Sequence, residues 1–233
     1  MTDKPNSLDM SLIRNAAIGH ATQVTLLLGH GADPEYLNSL ELTLSAANGH
    51  LECVKILAPL SDPLADNSEA LRQAAENGRV ECVEFLIPIS EAAADGSAAL
   101  CSAAQNGHAE CVNALIPKAA ARNASDALCL AASEGYVECV ALLLPISACI
   151  AYTINAFYLA AGNGHARVAE LILAGEPHLF GSLDFNNLLD SAVARGHHNL
   201  AALFSSIIDK AALRSTVPEI QETTSSSAPS PRL

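Results

Sequence analysis

Short segments with the apolar spacing of an α-helix occur in pairs along most of this chain, and a glycine separates the two segments of each pair. Before Gly78, residues 71–75 (LRQAA) place Leu and Ala at i, i+3 and i+4, which is one face of a helix. After it, residues 80–87 (VECVEFLI) continue the same spacing. Because glycine tolerates the left-handed backbone that ends a helix, the pattern predicts an antiparallel helix pair.

This unit occurs seven times. An Ala pair, or a close variant of it, stands shortly before each central glycine, and the successive glycines lie 30, 29, 29, 28, 29 and 32 residues apart: Gly19, Gly49, Gly78, Gly107, Gly135, Gly164 and Gly196. Prolines follow several of the second segments, and turn residues rich in Asp, Asn and Ser follow the prolines. A pair of two-turn helices cannot bury its apolar face alone. We therefore predict an all-α protein in which seven helix pairs stack into a continuous core.

The repeated unit resembles the ankyrin repeat, whose pattern reads Leu-x-Leu-Ala-Ala-x-x-Gly-His-x-x-x-Val-x-x-Leu-Leu. Residues 128–135 (LCLAASEG) match its first half, residues 140–144 (VALLL) match its second, and residues 29–34 (GHGADP) are similar to the family's loop entry. The resemblance covers residues 9–214. It implies an ankyrin-repeat solenoid of antiparallel helix pairs with short turns over 9–214. We expect residues 1–8 and the Ser/Thr/Pro-rich tail 215–233 to be disordered.

Two departures from the family pattern concern the connections between units. The Thr-Pro-Leu-His opening is absent, since residues 69–72 read EALR and 126–129 read DALC. Copies of 28 or 29 residues also fall short of the usual ~33, and the missing residues belong to the connecting fingers. The resemblance implies that fingers often carry partner contacts. We therefore expect recognition to depend more on the inner helices and on the shortened turns.

The charge of the chain excludes some functions and favours others. Its 25 acidic and 12 basic residues give a formal net charge of −13. Nucleic-acid binding depends on Lys and Arg, so it is not expected, and a basic partner is favoured. No stretch has the length of a membrane span and the N-terminus lacks an apolar leader, so we expect a cytoplasmic protein, with a secreted effector as the alternative. Part of the acidity is structural: Glu52, Glu81, Glu110 and Glu138 stand near the start of second helices, where they complement the helix dipole.

The cysteines and histidines follow the repeat and do not indicate catalysis. Cys53, Cys82, Cys111 and Cys139 occupy one position of four successive copies. Packed helices lie 8–10 Å apart, too far for one thiol per layer to converge on a metal or to form disulfides. Five histidines follow the repeat glycine, where the resemblance implies that they lock the turn by hydrogen bonding. We therefore predict no enzyme activity, metal site or cofactor; a catalytic site assembled from distant copies is the minor alternative.

The positions at which the copies differ are the candidate binding site. The residues just before each glycine end the first helix, which lines the concave face in ankyrin domains. In the middle copies they form a polar strip: Asn48, Glu76, Asn77, Gln105, Asn106, Ser133, Glu134 and Asn163. For each residue singly, a solvated helix end is the alternative interpretation.

The sequence therefore predicts a module that binds a partner protein, with a basic patch on that partner, through its concave face and turns. Ankyrin proteins of bacteria include inhibitors or immunity partners of toxins and effectors that bind host proteins, and both roles stay open here. A passive scaffold whose tail binds the partner is a third hypothesis. The oligomeric state is not predicted.

Overall fold

The computed structural model describes residues 7–35, 39–62, 65–90, 96–118, 121–147 and 149–216. All the regular secondary structure within these ranges is helical. The chain divides into two compact units, Met1–Leu183 and Asp184–Leu233. Of the segments expected to be disordered, residues 1–6 and 217–233 lie outside the described ranges. Residues 7–8 begin the first helix and 215–216 end the last one, so the domain limits stay a prediction.

The first unit contains six helix pairs. The first helices of these pairs are α1 Ser7–Ala17, α3 Leu40–Asn48, α5 Ala65–Glu76, α7 Gly96–Gln105, α9 Ala121–Glu134 and α11 Ile150–Asn163. The second helices are α2 Ala21–Gly29, α4 Leu51–Leu57, α6 Val80–Leu86, α8 Ala109–Leu115, α10 Val137–Leu143 and α12 Ala166–Gly175. Short 3-10 turns follow three of them, at Ile116–Lys118, Leu144–Ile146 and Pro177–Gly181. The second unit is one further pair, α13 Phe185–Ala194 and α14 His198–Thr216.

Every repeat glycine ends its first helix in the left-handed conformation that the pattern predicts. At Gly78 the backbone has φ +69°, and the N–H of Arg79 donates to the carbonyl of Ala74, 2.8 Å away. The same bond closes the turn at Gly49, where His50 N–H donates to Ser45 O at 2.9 Å. It satisfies a carbonyl that a helix end would otherwise leave unpaired. The chain can then reverse within two residues and begin the second helix.

The helix pairs of the first unit pack as two parallel layers. Each first helix contacts the first helices before and after it, and the second helices form a corresponding series. Alanines such as Ala74, Ala75, Ala103 and Ala104 are fully buried between successive first helices. Their small side chains allow the helix axes to approach closely. This is the stack of helix pairs that the sequence predicts, with each pair contacting its neighbours.

A glutamate side chain lies inside this core. Glu41, in α3, is fully buried, and its backbone carbonyl accepts a hydrogen bond from Ser45 Oγ at 2.7 Å. Ser61 Oγ donates to one carboxylate oxygen over 3.4 Å, while the other, Oε2, has no hydrogen-bond partner among the described residues. Burial, with smaller contributions from the nearby carboxylates of Asp33 and Asp9, raises the pKa of Glu41 from 4.5 to about 7. The carboxyl group is therefore held largely protonated below neutral pH.

Candidate functional site

The predicted polar strip lies at the C-terminal ends of successive first helices. Asn48, Glu76, Gln105 and Asn163 are the last residues of α3, α5, α7 and α11, and Ser133-Glu134 end α9. Asn77 and Asn106 follow α5 and α7 directly. Because these helices pack side by side, their ends form one edge of the first-helix layer, which we call the strip edge.

Two asparagines of the strip hold successive repeats together. The amide of Asn48 donates to the carbonyl of Ala17, 3.0 Å away in the preceding repeat. The amide of Asn163 donates to the carbonyl of Ser133 at 2.8 Å and to its hydroxyl at 3.1 Å. In both cases the side-chain N–H₂ is engaged, and the side-chain carbonyl stays available as an acceptor. These two residues therefore fix the spacing of the strip edge as well as facing solvent.

Two other asparagines bond back to the helix that they follow. Asn77 donates to the carbonyl of Gln73 at 2.8 Å, and Asn106 donates to the carbonyl of Ser102 at 2.9 Å. Each of these carbonyls also accepts the backbone N–H of the same asparagine, at 3.1 Å, so the side-chain amide adds a second hydrogen bond at the end of the helix. The solvated-helix-end interpretation thus accounts for part of the polarity of the strip.

Only some of the acidic and amide side chains of the polar strip are free to bind a partner, because others already bond within the chain. Glu76 is half-buried, and its carboxylate receives Arg72 Nη1 at 2.7 Å. Arg72 also binds Glu69 with two hydrogen bonds, which hold the pKa of the Glu69 carboxyl below its ordinary value. In contrast, the side chains of Gln105 and Glu134 are exposed and make no hydrogen bond or ion pair within the described part of the chain. They are the strip residues best placed to meet another protein.

In four repeats of the first unit, the residue after the glycine ties its repeat to the preceding one. His108 Nε2 donates to the carbonyl of Glu76, 3.0 Å away, and His165 Nε2 donates to the carbonyl of Ser133 at 2.9 Å. His50 makes the same bond to Ala17 O at 3.1 Å, and Arg79 replaces histidine in this role with a bond to Ala47 O at 3.1 Å. The resemblance to the ankyrin repeat implied that these histidines lock the turn. The structure places the bond between repeats, because the carbonyl that accepts it ends the first helix of the previous copy.

These ties also explain why the turn residue has no side chain. The ring of His108 packs over Gly78, and the ring of Tyr136 packs over Gly107 in the same way. A methyl group at Gly78 would lie 2.6 Å from His108 Nδ1 and 2.8 Å from its Cε1. The sequence contained a signal for this contact, because His, Tyr or Arg follows the glycine of the next repeat. Only the stacked structure shows that this side chain packs over the glycine of the preceding repeat.

The cysteine column is part of the core. Cys53, Cys82, Cys111 and Cys139 are buried in the second helices, and all seven cysteines are free thiols. Burial raises the pKa of Cys82, Cys111 and Cys139 to about 11, with a smaller contribution from the glutamate before each. Within the described ranges, no three or more His, Cys, Asp and Glu residues are grouped so as to hold a metal ion. Thiols of this kind pack as small apolar groups and react slowly.

Alkylation of the native protein is expected to modify Cys149 first. Cys149 is the exposed cysteine, whereas Cys101 is only partly exposed and burial raises the pKa of its thiol to about 11. Because the thiolate is the nucleophile, the other six should react at least about tenfold more slowly. Mass mapping of iodoacetamide adducts over time measures this, with protein in 6 M guanidinium as the fully reactive control. Equal labelling of Cys111 and Cys149 in the native state would contradict the burial of the column.

The described residues contain no helix that is both long enough and apolar enough to span a lipid bilayer. Stacked helix pairs closed by glycine turns define a helical repeat protein of the solenoid class. A family model for ankyrin repeats, described as three copies, matches residues 12–96 and 71–154, which together make up more than half of the chain. The chain belongs to the ankyrin-repeat family, whose repeats mediate protein–protein interactions and whose fold is generally non-enzymatic.

The solved structures agree with this assignment. The ankyrin repeat domain of human ASB11 superposes with a TM-score of 0.57 at 20% sequence identity, over 70% of this chain and 82% of that one. At this identity the similarity shows a common fold. No curated protein matches the chain in sequence. The ankyrin-repeat solenoid, predicted from the glycine register, is confirmed.

Proposed function

We propose that the chain is a non-enzymatic binding module that recognises one partner protein through the strip edge and the turns beside it. This edge corresponds to the concave side of ankyrin domains. The observation that carries the proposal is that Gln105 and Glu134 are exposed on a frame that Asn48, Asn163 and the post-glycine residues tie together. A surface held in place before binding loses little conformational entropy when a partner docks, so more of the contact energy appears as affinity.

The partner in this proposal presents a basic patch. The net charge of −13 attracts cationic proteins over a distance of about one Debye length and raises the association rate. An inhibitor or immunity partner of a basic enzyme or toxin, acting in the cytoplasm, fits such a surface. A secreted effector that binds a host protein is the alternative. The inhibitor role predicts a single stoichiometric partner in the native cell, whereas the effector role predicts capture only from a host extract.

Charge reversal on the strip edge is expected to abolish partner capture. The double variant Gln105→Lys/Glu134→Lys should bind the partner at least about tenfold more weakly, because two exposed central positions become repulsive to a basic surface. Quantitative affinity purification from the native cell, with mass spectrometry, measures this against the wild-type chain. The matched control is Gln23→Lys/Glu170→Lys, which makes the same change of charge at exposed positions of α2 and α12.

The result can separate the proposal from its rivals. Unchanged capture by the strip variant, with capture lost when residues 217–233 are deleted, would assign binding to the tail. Equal loss in the strip variant and in the control would indicate attraction by net charge alone. A single partner that the control retains and the strip variant loses is the expected outcome.

A further inference from the structure

A shallow groove crosses the second-helix layer of the first unit, on helices that do not carry the strip edge. It has a volume of about 520 Å³ and spans α6, α8 and α10. Its apolar floor is formed chiefly by Val80, Ala109, Ala114 and Leu142. Its acidic rim is formed by Glu84 and Glu110. A smaller depression of about 200 Å³ shares Val80, Ala109 and Glu110 with it and extends towards Gly78. We call the two together the α8 groove.

The groove exists because α8 has smaller side chains than its neighbours. The first position of the second helix is Val80 in α6 and Val137 in α10, but Ala109 in α8. At the sixth position, α6 has Phe85, α10 has Leu142 and α8 has Ala114. All of these side chains are half-buried, so they form the surface of the layer. Two alanines between larger residues leave a depression with apolar walls and an alanine floor.

Among the described residues that line the groove, Glu84 and Glu110 are acidic and none is Lys or Arg. Helices α6, α8 and α10 carry four exposed glutamates and neither Lys nor Arg: Glu81, Glu84, Glu110 and Glu138. Glu84 and Glu110 line the groove itself. Burial, with smaller contributions from Glu110, Glu81 and Glu84, raises the pKa of the buried Cys111 thiol. The neighbouring helix α4 differs, because Lys55 binds its glutamate, Glu52, at 2.8 Å.

Two cations stand next to the groove helices in the sequence. Arg79 precedes α6, and its guanidinium donates to the carbonyl of Ala47 in the preceding repeat. Lys118 lies in the 3-10 turn after α8. The carboxylates between them are therefore not neutralised by a neighbouring side chain of the three groove helices. Like charges on one surface repel each other, and a cationic ligand relieves this repulsion.

We propose that the α8 groove binds an amphipathic helix of a partner protein. The apolar side chains of that helix pack against Ala109 and Ala114, and its Lys or Arg side chains pair with Glu84 and Glu110. Apolar floors with charged rims are the surfaces on which helices dock in grooves. Two helix-to-helix steps of 8–10 Å give a length of about 20 Å, which a helix of about 13 residues spans. The acidic rim favours a cationic segment and repels phosphate groups. This site is additional to the strip edge and lies on the other helix layer.

The test uses the full chain and a peptide probe. The probe is a fluorescein-labelled 13-residue helix with leucines on one face and lysines on the other, measured by fluorescence anisotropy at 50 mM salt. We expect saturable binding. One companion peptide with Glu for every Lys and another with Ser for every Leu should each bind at least about tenfold more weakly. Absence of saturable binding of the Leu/Lys peptide, or equal binding of the Leu/Lys and Ser/Lys peptides, overturns the proposal.

Variants of the chain locate the site. Glu84→Gln/Glu110→Gln should weaken binding of the Leu/Lys peptide about fivefold, because each exposed ion pair contributes modestly. Ala114→Arg, which fills the floor, should weaken it at least about tenfold. The matched control is Glu52→Gln/Glu134→Gln: Glu52 has the same repeat position as Glu110 but belongs to α4, and Glu134 lies on the strip edge. It should change the affinity less than twofold.

Two further outcomes decide the remaining cases. If Ala114→Arg does not fold, Glu84→Gln/Glu110→Gln still decides, because both side chains are exposed. Equal weakening in this variant and in the control would show attraction by net charge and overturn the groove. Gln105→Lys/Glu134→Lys should leave the peptide bound, and loss of the peptide there would assign it to the strip edge. A failure of the peptide to bind at the α8 groove is thus distinguishable from a failure of the strip edge to bind its partner.

Discussion

Alanine in place of Gly78 is expected to lower the free energy of unfolding by about 3 kcal/mol. The backbone at Gly78 has φ +69°, and an L-residue in this region costs about 1–2 kcal/mol. The added methyl group would lie 2.6 Å from His108 Nδ1, so the ring has to move. Its displacement breaks the bond from His108 to Glu76 O, which is worth about 1 kcal/mol. Urea unfolding followed by circular dichroism measures the loss.

Two comparisons separate the backbone effect from the contact between repeats. Gly31 has φ +87°, but a methyl group there has no atom within 4 Å, so Gly31→Ala should cost only about 1–2 kcal/mol. The double variant Gly78→Ala/His108→Ala removes the ring that the methyl group meets. It should be more stable than the sum of the single variants predicts, by about 1 kcal/mol. Additive effects, or equal losses at Gly31 and Gly78, would show that the ring does not constrain the turn.

Replacing Glu41 with glutamine is expected to stabilise the protein at high pH and to have little effect in acid. Folding raises the pKa of Glu41 from 4.5 to about 7, mainly because the carboxyl is buried. Below pH 4.5 the carboxyl is protonated in both states, so its ionisation costs nothing. Between pH 4.5 and about 7 the unfolded chain releases this proton while the folded chain retains it, and stability falls. Above pH 7 the loss is constant, at about 3 kcal/mol.

Glu41→Gln cannot ionise, and its amide oxygen can still accept the hydrogen bond of Ser61. The variant should therefore be more stable than the wild type by about 3 kcal/mol at pH 8 and nearly equal to it at pH 4. Chemical denaturation at a series of pH values measures the difference. The exposed Glu134→Gln serves as the control and should change stability by less than about 0.5 kcal/mol at either pH. If the stability difference between the wild type and Glu41→Gln did not vary with pH, the raised pKa of a buried Glu41 carboxyl would be refuted.

The pH dependence bears on the binding proposal, because Glu41 lies in α3, one of the helices that end at the strip edge. Ionisation of Glu41 opposes the packing of α3 against its neighbours. Asn48, at the end of the same helix, fixes the distance to the preceding repeat through its bond to Ala17 O. Partner binding to the wild type should therefore be compared with Glu41→Gln at one pH, so that stability and recognition are not confused.

The helix pairs could be predicted from the sequence because they follow local rules. Residues 71–75 and 80–87 place apolar groups on one face of each segment, and Gly78 ends the first one through its backbone. Identical signals recur about every 29 residues, so the register of the stack was also predictable. The candidate strip edge was predicted in position, since variable residues before each glycine must end up side by side once the helices stack.

What the strip residues do was decided by contacts between repeats. Asn48 and Gln105 are both polar residues at the end of a first helix. The structure shows that Asn48 binds the preceding repeat while Gln105 faces solvent. Glu76 likewise differs from Glu134, because only Glu76 has Arg72 one turn before it in its own helix. A motif read within one copy cannot contain the Asn48 contact, because its partner Ala17 lies 31 residues away. The Arg72–Glu76 pair, in contrast, lies within one helix of one copy.

The sequence by itself determined the repeat length, the helix pairs, the glycine turns and the acidic charge, because these depend on residues close together in the chain. The tertiary structure decided that His108 bonds the previous repeat, that Glu41 is buried without a full set of partners, and that Ala109 and Ala114 lie at the bottom of a groove. Each of these depends on which side chains of two adjacent repeats meet and on how they differ in size or polarity. These contacts form only when the repeats stack.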